Sequence, residues 1–375
     1  MREAYLEKLC ASLEVDGQDA VLICPSEELA FFMGFSPLLC ERFQGLFLKR
    51  DGSMFYFCNL LTGPEWLRAT EGKIPVYTWF DNEDMLAVLK NVLEREGLAG
   101  ASIAVNSTAQ AFHILRIAQI ADVHFSAGVS LLEQARILKT EEELNALRKA
   151  AAIADAGFLA TLPQIRAGMT EKQVYDILTG EMSRLGGADA GALIASGPNA
   201  SFPHYSGYER TLCEGDAVIM DFGCLWEGLH SDMTRTIFIG RPSPRQRELY
   251  TLLYRAQRHA EETAAEGVPA CRVDAAAREI LDEQKLAYAC TTRVGHGIGF
   301  MTHEAPYINA LNQTPLQRGM CFSVEPGIYL AGDIGLRIED IVIINLQGQR
   351  EILNKAPKAI WSILPDGPVY EEIEG

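Results

Sequence analysis

The sequence has few of the features that would direct it to an oxidising compartment or into a membrane. It contains no Cys-x-x-Cys pair, and its nine cysteines are irregularly spaced. This pattern predicts reduced thiols in a cytoplasmic protein, not a disulfide framework or a zinc–thiolate site. No basic segment followed by an apolar run begins the chain, so we expect no signal peptide. The most apolar stretch, 29–40, is too short to span a bilayer.

Positive charge is also scarce. The chain of 375 residues has a net charge of −17, of which the first 135 residues contribute −8 and the remainder −9. Because neither part is basic, we expect no nucleic-acid partner and no anionic-membrane partner. Hydrophobic residues make up 48% of the chain, enough for one large or two ordinary domains with their own cores. Part of the excess acid can serve to bind cations.

The first part of the chain, residues 1–132, alternates strand and helix patterns. Strands are predicted at 20–23, 54–57 and 102–105, and a helix with one apolar face is predicted over 83–95. This alternation predicts a small α/β domain. It contains no group of residues that suggests chemistry.

The pattern changes where the second predicted domain, 133–375, begins. Thr140 is followed three residues later by Glu143, which is the sequence of a capping box at the start of a long helix. Further helices are predicted over 170–185 and 243–266. Glycine-rich strand patterns lie between them.

Two aspartates interrupt neighbouring strand patterns in this domain. Asp221 lies within the apolar stretch 217–223, and Asp232 opens a second stretch, 232–239. The polar, glycine-containing residues between them predict a hairpin that brings the two carboxylates together. Two like charges in an apolar setting need a cation or a shared proton. By themselves, two loop aspartates at the margin of a sheet would give the same pattern.

Two histidines and a glutamate follow. His296 lies between glycines in Gly-His-Gly-Ile-Gly, where the backbone can approach a ligand closely and the imidazole is expected to be accessible. His303 opens a His-Glu-Ala-Pro sequence, which is not a zinc-binding His-Glu-x-x-His helix because residue 307 is Tyr. Glu325 stands at the end of another apolar strand pattern. Each histidine alone would more often be an ordinary structural group.

The stretch 336–342 predicts one continuous strand with Arg337 and Glu339 on the same face. Glu339 alone could form a salt bridge with a neighbouring strand. Considered together, however, two aspartates, one histidine and two glutamates suit two hard or borderline divalent ions. Two such ions about 3.5–4 Å apart can activate a water molecule and stabilise a developing oxyanion.

In chain order, these motifs resemble those of the creatinase, prolidase and aminopeptidase P superfamily. The matching segments read DFG, DxTRT, GHGIG, HExP, SVEPG and RIED. The likeness extends from the helix at Thr140 to the end of the chain. It implies a pita-bread catalytic domain, which is an α/β (α+β) fold with two pseudo-symmetric halves and a curved antiparallel sheet. A small α/β creatinase-like domain would precede it.

The resemblance also implies a role for each residue. Asp221 would bind the first ion, Asp232 and Glu339 would bridge both ions, and His296 and Glu325 would bind the second. The implied metal ligands are therefore Asp221, Asp232, His296, Glu325 and Glu339.

Four residues have implied roles in catalysis. Glu325 would also be a proton shuttle, because it lies beside the nucleophile. His204 and His303 would hold the scissile carbonyl and stabilise the tetrahedral intermediate. Arg337 would orient the site, and it could pair either with the ligands or with a substrate carboxylate.

The implied activity is hydrolysis of the peptide bond before proline in dipeptides or short peptides. The enzyme would be a cytoplasmic homodimer with two divalent ions per chain, with Mn²⁺ expected and Co²⁺ or Zn²⁺ compatible with the same ligands. Its substrates would be proline-containing di- or oligopeptides. The sequence leaves open whether the enzyme is an Xaa-Pro dipeptidase or an Xaa-Pro aminopeptidase.

Other members of the superfamily are alternatives. Methionine aminopeptidases share the ligands, but they usually lack such an amino-terminal domain and tend to have glutamine where Arg337 stands. Creatinase has lost ligands that this sequence retains. Hydrolases or lyases that act on small non-peptide substrates remain open. A binding protein on a retired peptidase fold is disfavoured, because such proteins lose metal ligands.

Overall fold

Two units with separate hydrophobic cores follow one another along the chain. The computed structural model describes residues 2–373, which divide into these units between Arg136 and Ile137. The strands of the first unit are β1 (Ala20–Ile23), β2 (Gly45–Lys49), β3 (Met54–Asn59), β4 (Val76–Trp79), β5 (Ser102–Val105) and β6 (His124–Ala127). Its helices are α1 (Glu3–Val15), α2 (Glu27–Met33), α3 (Gly63–Ala69), α4 (Met85–Arg95), α5 (Ala111–Ile120) and α6 (Val129–Arg136).

The first unit is built on a six-stranded mixed sheet in the order β4-β3-β2-β1-β5-β6. Strand β2 is antiparallel to β1 and β3, and the other neighbours are parallel. The predicted strands at 20–23 and 102–105 are confirmed, and 54–57 opens β3. The predicted helix over 83–95 begins at Met85, because the side chain of Asp84 caps it by accepting the Leu86 N–H.

The second unit contains four helices and thirteen strands among its described residues. The helices are α7 (Glu141–Thr161), α8 (Glu171–Arg184), α9 (Pro244–Thr263) and α10 (Ala270–Asp282). The strands are β7 (Ala188–Ser196), β8 (Ala217–Trp226), β9 (Leu229–His230), β10 (Met233–Ile239), β11 (Gly295–Gly297), β12 (Glu304–Ile308), β13 (Cys321–Val324), β14 (Gly327–Leu330), β15 (Ile334–Arg337), β16 (Asp340–Ile344), β17 (Arg350–Ile352), β18 (Ile360–Leu364) and β19 (Gly367–Glu371).

These strands form two larger sheets and a short ribbon. The first sheet has the order β19-β18-β10-β8-β7, with β9 paired to β8. The second has the order β12-β11-β13-β16-β17, and β14 and β15 form the ribbon. Helices α7 and α8 share one apolar cluster with β7, β8 and β10, whereas α9 and α10 share another with the strands of the second sheet and the ribbon. Each half of the unit thus has its own helix pair and its own sheet.

The helix starts follow the predicted capping chemistry. Thr140 and Glu143 form a capping box before α7, and Thr170 and Gln173 form one before α8. A third capping box, not predicted, lies before α9 at Ser243 and Gln246. No helix within residues 2–373 is long and apolar enough to cross a membrane.

The prediction of one continuous strand over 336–342 is wrong. Strand β15 ends at Arg337 and pairs with β14, whereas β16 begins at Asp340 and pairs with β13. Ile338 and Glu339, which lie between these strands, belong to neither strand pairing. Glu339 instead pairs with Thr234 in an isolated bridge. Because the chain changes its partner strand after Arg337, the alternation of side chains between the two faces of a strand does not continue over 336–342.

Candidate active site

Asp221 and Asp232 come together through antiparallel pairing of β8 with β10. The register places Asp221 opposite Thr234, so the predicted hairpin-type pairing is confirmed. Asp232 precedes β10 and is 9% exposed. Its burial raises the pKa of its carboxyl well above the ordinary value, and the charges of Asp221 and Glu325 raise it further. Without a cation, this position favours a protonated acid.

His296 lies on β11 at the bottom of the same pocket. Its Nε2 is 3.0 Å from Glu325 Oε1 and 3.8 Å from Asp232 Oδ2, while its Nδ1 is 3.1 Å from the Gly297 carbonyl oxygen. When Nδ1–H donates to that carbonyl, the lone pair of Nε2 faces two carboxylates. A positive centre among these atoms would satisfy all of them.

The glycines beside His296 allow the neighbouring strands to pack closely. A Cβ at Gly295 would overlap the carbonyl oxygen of Ser323, and one at Gly297 would overlap that of Ala305. His296 itself is 2% exposed, so the expectation of an accessible imidazole is wrong. The neighbouring strands come too close for any side chain at the two glycine positions.

Glu325 follows β13 and is held by a serine. The Ser323 hydroxyl donates to Glu325 Oε1 at 3.1 Å and accepts the His296 backbone N–H at 3.1 Å. Burial opposes ionisation of Glu325, but the hydrogen bond and charge of a protonated His296, together with Arg337 and the Ser323 hydroxyl, outweigh it and lower the pKa of this carboxyl to about 2. Glu325 is therefore an anion at neutral pH.

Glu339 is the most deeply buried carboxylate of the group, at 1% exposed. Its Oε2 accepts the Thr234 hydroxyl at 2.8 Å, but its buried Oε1 has no hydrogen-bond partner among the described residues. Burial and the charge of Asp232 raise the pKa of Glu339 well above the ordinary value. An unpartnered buried carboxylate oxygen is costly unless it binds a proton or an ion.

Arg337 is fully engaged inside the protein. Its Nε donates to Thr234 Oγ1 at 3.1 Å, and one terminal nitrogen donates to the Tyr329 hydroxyl at 2.7 Å and to the Pro203 carbonyl at 3.3 Å. The other terminal nitrogen pairs with Asp221 Oδ2. Of the two partners considered from the sequence, the structure pairs Arg337 with the acidic group, and four of its five N–H groups are used within the protein.

The donor set fits divalent cations. One donor atom from each of Asp232, His296 and Glu339 lies within 4.8 Å of the others. Glu325 joins them through His296, and Asp221 lies in the same cavity, held by Arg337. The set contains four carboxylates and one imidazole, with Glu339 Oε1 lacking a partner among the described residues and the lone pair of His296 Nε2 facing carboxylates. Such donors match hard or borderline divalent ions. The cavity that contains them has a volume of about 1120 Å³.

Comparison with known proteins adds to this geometry. The model of metallopeptidase family M24 matches residues 145–345. The chain is 36% identical over 359 residues to "Probable dipeptidase PepE" of Mycobacterium tuberculosis, with 94% of this chain and 95% of the relative covered. It is 32% identical to the Xaa-Pro dipeptidase of Pyrococcus furiosus, with 92% and 97% covered. The crystal structure of dipeptidase PepE from Mycobacterium ulcerans superposes with a TM-score of 0.89 at 35% identity, covering 96% of this chain and 98% of the other.

The chain belongs to metallopeptidase family M24. The predicted superfamily, the pita-bread fold and a metal-dependent peptidase activity are thereby confirmed. The ligand roles of the individual residues rest on the geometry described above. In this M24 peptidase, the predicted ligands come from both sheets: the two aspartates from the first, and the histidine and two glutamates from the second and its margins.

The two further histidines of the M24 peptidase also line the cavity. The ring of His303 stands perpendicular to that of His296, with the centroids 4.2 Å apart. His303 is exposed at the cavity, but the protein around its ring partly desolvates it. This desolvation, with the charges of His296 and Arg293, lowers the pKa of His303 to about 4, so the imidazole is neutral at pH 7. His204 follows the short 3₁₀ turn Gly197–Ser201 and faces the cavity from the first half.

Three residues of the site were not predicted from the sequence. Thr234 joins Glu339 to Arg337, Tyr329 holds Arg337, and Arg293 lines the cavity three residues before His296. A threonine two residues after Asp232 on a buried strand was a usable signal for Thr234. A positively charged residue just before the Gly-His-Gly sequence was likewise a usable signal for Arg293. Tyr329 had no such signal, because its contact depends on how β14 and β15 pair.

Proposed function

We propose that this M24 peptidase is an Xaa-Pro dipeptidase whose specificity depends on Arg293. The observation that carries the proposal is the state of this side chain. Arg293 lines the cavity, and its guanidinium lies 5.0 Å from the centroid of the Tyr307 ring. No hydrogen bond or ion pair of this guanidinium is found within residues 2–373. In a dipeptide, the terminal carboxylate is one residue from the scissile bond, and a guanidinium can bind it with two hydrogen bonds.

The substrate class is supported by the relatives. The Pyrococcus furiosus protein at 32% identity is an Xaa-Pro dipeptidase, and the Mycobacterium relatives are dipeptidases by name. The chain covers nearly the full length of each. Since Arg337 is already bonded within the site, Arg293 is the cavity arginine able to bind the substrate carboxylate.

The proposed ligands are Asp221, Asp232, His296, Glu325 and Glu339. Two divalent ions bound there would lower the pKa of a water molecule and polarise the scissile carbonyl. The Glu325 carboxylate would accept a proton from the attacking water and pass it to the leaving nitrogen of proline. The rings of His204 and His303 would donate hydrogen bonds to the developing oxyanion. Arg337 would keep Asp221 in place.

We further propose Mn²⁺ as the native ion, a homodimer as the assembly, and the cytoplasm as the location. Oxygen-rich donors with one imidazole suit Mn²⁺, and all nine cysteines are free thiols, as a reducing compartment would keep them. Metal analysis of the protein purified from its native cells and sedimentation at micromolar concentration test the first two points. Fractionation of those cells tests the third.

The activity is tested with three substrates of the same first residue: Xaa-Pro, Xaa-Pro amide and Xaa-Pro-Yaa, each with added Mn²⁺. We expect Xaa-Pro to be cleaved with the highest kcat/KM. Arg293→Met should raise KM for Xaa-Pro about 10- to 100-fold, as expected for the loss of a charge-assisted pair, and leave the amide unchanged. Arg255→Met, which removes an exposed arginine on α9, is the control. Faster cleavage of Xaa-Pro-Yaa than of Xaa-Pro would show that the enzyme is an aminopeptidase.

A further inference from the structure

We propose that Lys139 is a positioning residue for His303 and acts through the neighbouring Glu304. The Lys139 ammonium pairs with Glu304 Oε1, and the side chains are 0% and 1% exposed. Burying two charges is costly, and apolar residues of similar volume would often stabilise a fold as well or better. A charged pair, however, fixes the direction in which its two side chains point. The inference rests on the role of His303 in the proposed function.

The position of Glu304 on its strand determines where His303 points. Glu304 is the first residue of β12 and pairs with Gly297, the residue after His296. His303 lies in a bend directly before β12. The Lys139–Glu304 pair holds the backbone next to this bend, from which the His303 ring enters the cavity and meets His296.

The segment before His303 is folded around the lysine. A Cβ at Gly299 would overlap Lys139 Cε and come within 3.0 Å of Glu304 Oε1. The ring centroid of Phe300 lies 5.6 Å from the ammonium, and the Met301 N–H donates to Glu304 Oε2 at 3.3 Å. The last glycine of the Gly-His-Gly-Ile-Gly sequence is therefore required by the path of Lys139. We define residues 299–304 as the His303 loop.

Lys139 is fixed at its own backbone. Its N–H donates to the Gly319 carbonyl at 2.8 Å, and the capping box of α7 begins at the next residue. The Gly319 N–H in turn donates to the Ile344 carbonyl at 2.7 Å, at the end of β16. The ammonium therefore projects from a rigid point of the second half. A fixed donor at the base of the His303 loop limits the movement of the ring at its tip.

The test compares Lys139→Met, Glu304→Gln and the double variant, each with His303 intact and with His303→Ala. Single variants leave one buried charge unpaired and can fail to fold, whereas the double variant removes both charges. With His303 intact, we expect the double variant to lose about 10²-fold in kcat, as a misplacement of about 1 Å can cause. KM and Mn²⁺ content should stay near the wild-type values. In the His303→Ala background, the same changes should leave kcat at the level of His303→Ala.

A second readout does not need turnover. In the metal-free protein, amide hydrogen exchange of the His303 loop should be faster in the double variant than in the wild type. Lys49→Met, which breaks a half-buried ion pair with Glu96 in the first unit, is the control and should change neither measurement. A double variant with wild-type kcat, an equal loss of kcat in both backgrounds, or unchanged exchange would each overturn the proposal. Failure of the proposed function would be seen differently, as absence of Xaa-Pro cleavage by the wild type.

Discussion

The smallest feature that organises the site is one hydroxyl group. Thr234 Oγ1 donates to Glu339 Oε2 and accepts from Arg337 Nε, and the threonine is completely buried. Its single proton is therefore directed to Glu339. This fixes the rotation of the carboxylate and leaves Oε1 as the buried oxygen without a hydrogen-bond partner among the described residues. A group that orients a ligand in this way tunes metal affinity without contacting the ion.

Thr234→Val keeps the shape of the side chain and removes this hydrogen bond. We expect Mn²⁺ affinity to fall about 10- to 100-fold, as is typical when such a partner is lost. Calorimetric titration of the metal-free protein measures it. Thr234→Ser, which keeps the hydroxyl, should bind Mn²⁺ nearly as the wild type does. Thr236→Val is the matched control, since that hydroxyl contacts the backbone of Arg337. Equal affinity in the Val and Ser variants would contradict the role.

The three cavity histidines with predicted roles, His204, His296 and His303, should differ in what their loss affects. Replacing His204 or His303 with Ala should lower kcat on the order of 10²–10³-fold while Mn²⁺ content is retained, because each would donate to the oxyanion. Replacing His296 should lower Mn²⁺ content together with activity. Elemental analysis and kcat on Xaa-Pro, measured for all three variants, test this. A His303→Ala enzyme with wild-type kcat would leave His303 with a structural role only.

At the scale of helices and strands, some features could be predicted from the sequence and others could not. Capping boxes and two-residue alternation are local, so α7, α8 and the antiparallel pairing of β8 with β10 were predictable. The break after Arg337 was not, because it depends on β15 and β16 having different partner strands. The same holds for the partners of Arg337, because Pro203, Asp221 and Thr234 are distant in the chain and the contact with Tyr329 depends on the pairing of β14 with β15. The predicted ligands could be found since each interrupts or ends an apolar strand pattern, whereas Tyr329 fits its strand and does not stand out.

A second buried polar group links α9 to the strand that follows Glu339. Lys358 Nζ lies 2.8 Å from Asp340 Oδ2 and 2.7 Å from Glu261 Oε2, and Gln257 bonds to Glu261 at 2.6 Å. On the other side of Asp340, Arg235 donates to its Oδ1 and to the carbonyl of Glu339. Through Arg235, this polar group fixes the backbone of Glu339.

Glu261 should make the stability of the protein depend on pH. Burial, with the charge of Asp340, raises the pKa of Glu261 to about 7 from an ordinary 4.5. Between these values the folded state holds a proton that the unfolded state has lost, so the contribution of Glu261 to stability falls as pH rises from about 4.5 to 7. Glu261→Gln should remove this fall. Melting temperatures of the metal-free proteins at several pH values measure it, and parallel pH curves for the two proteins would refute the assignment.

For the molecule as a whole, the main fact is that the site joins the two halves of the second unit. Four carboxylates from two sheets meet in one cavity, and their repulsion opposes the association of the sheets until a cation is bound. A ligand that binds only the folded state stabilises it by mass action. Metal should therefore stabilise both halves together and not one sheet alone.

Removal of metal with a chelator should lower the melting temperature, and Mn²⁺ at about 100 times its dissociation constant should raise it by about 5–10 °C. Differential scanning calorimetry measures the shift, with KCl of equal ionic strength as the control for screening. His296→Ala should show a smaller shift. A wild-type melting temperature that does not depend on Mn²⁺ would mean that the cavity binds no ion in the folded protein.

The spread of the site along the chain has a consequence for biosynthesis. The residues that line the cavity run from Asp189 to Glu339, and β15, which carries Arg337, lies late in the chain. A ribosome that has made only the first half of the unit has produced the two aspartates without the arginine, histidine and glutamates that complete the cavity. Dissolved metal can therefore not guide the folding of the nascent first half. Metal can occupy the complete cavity only after the second half of the unit has been synthesised.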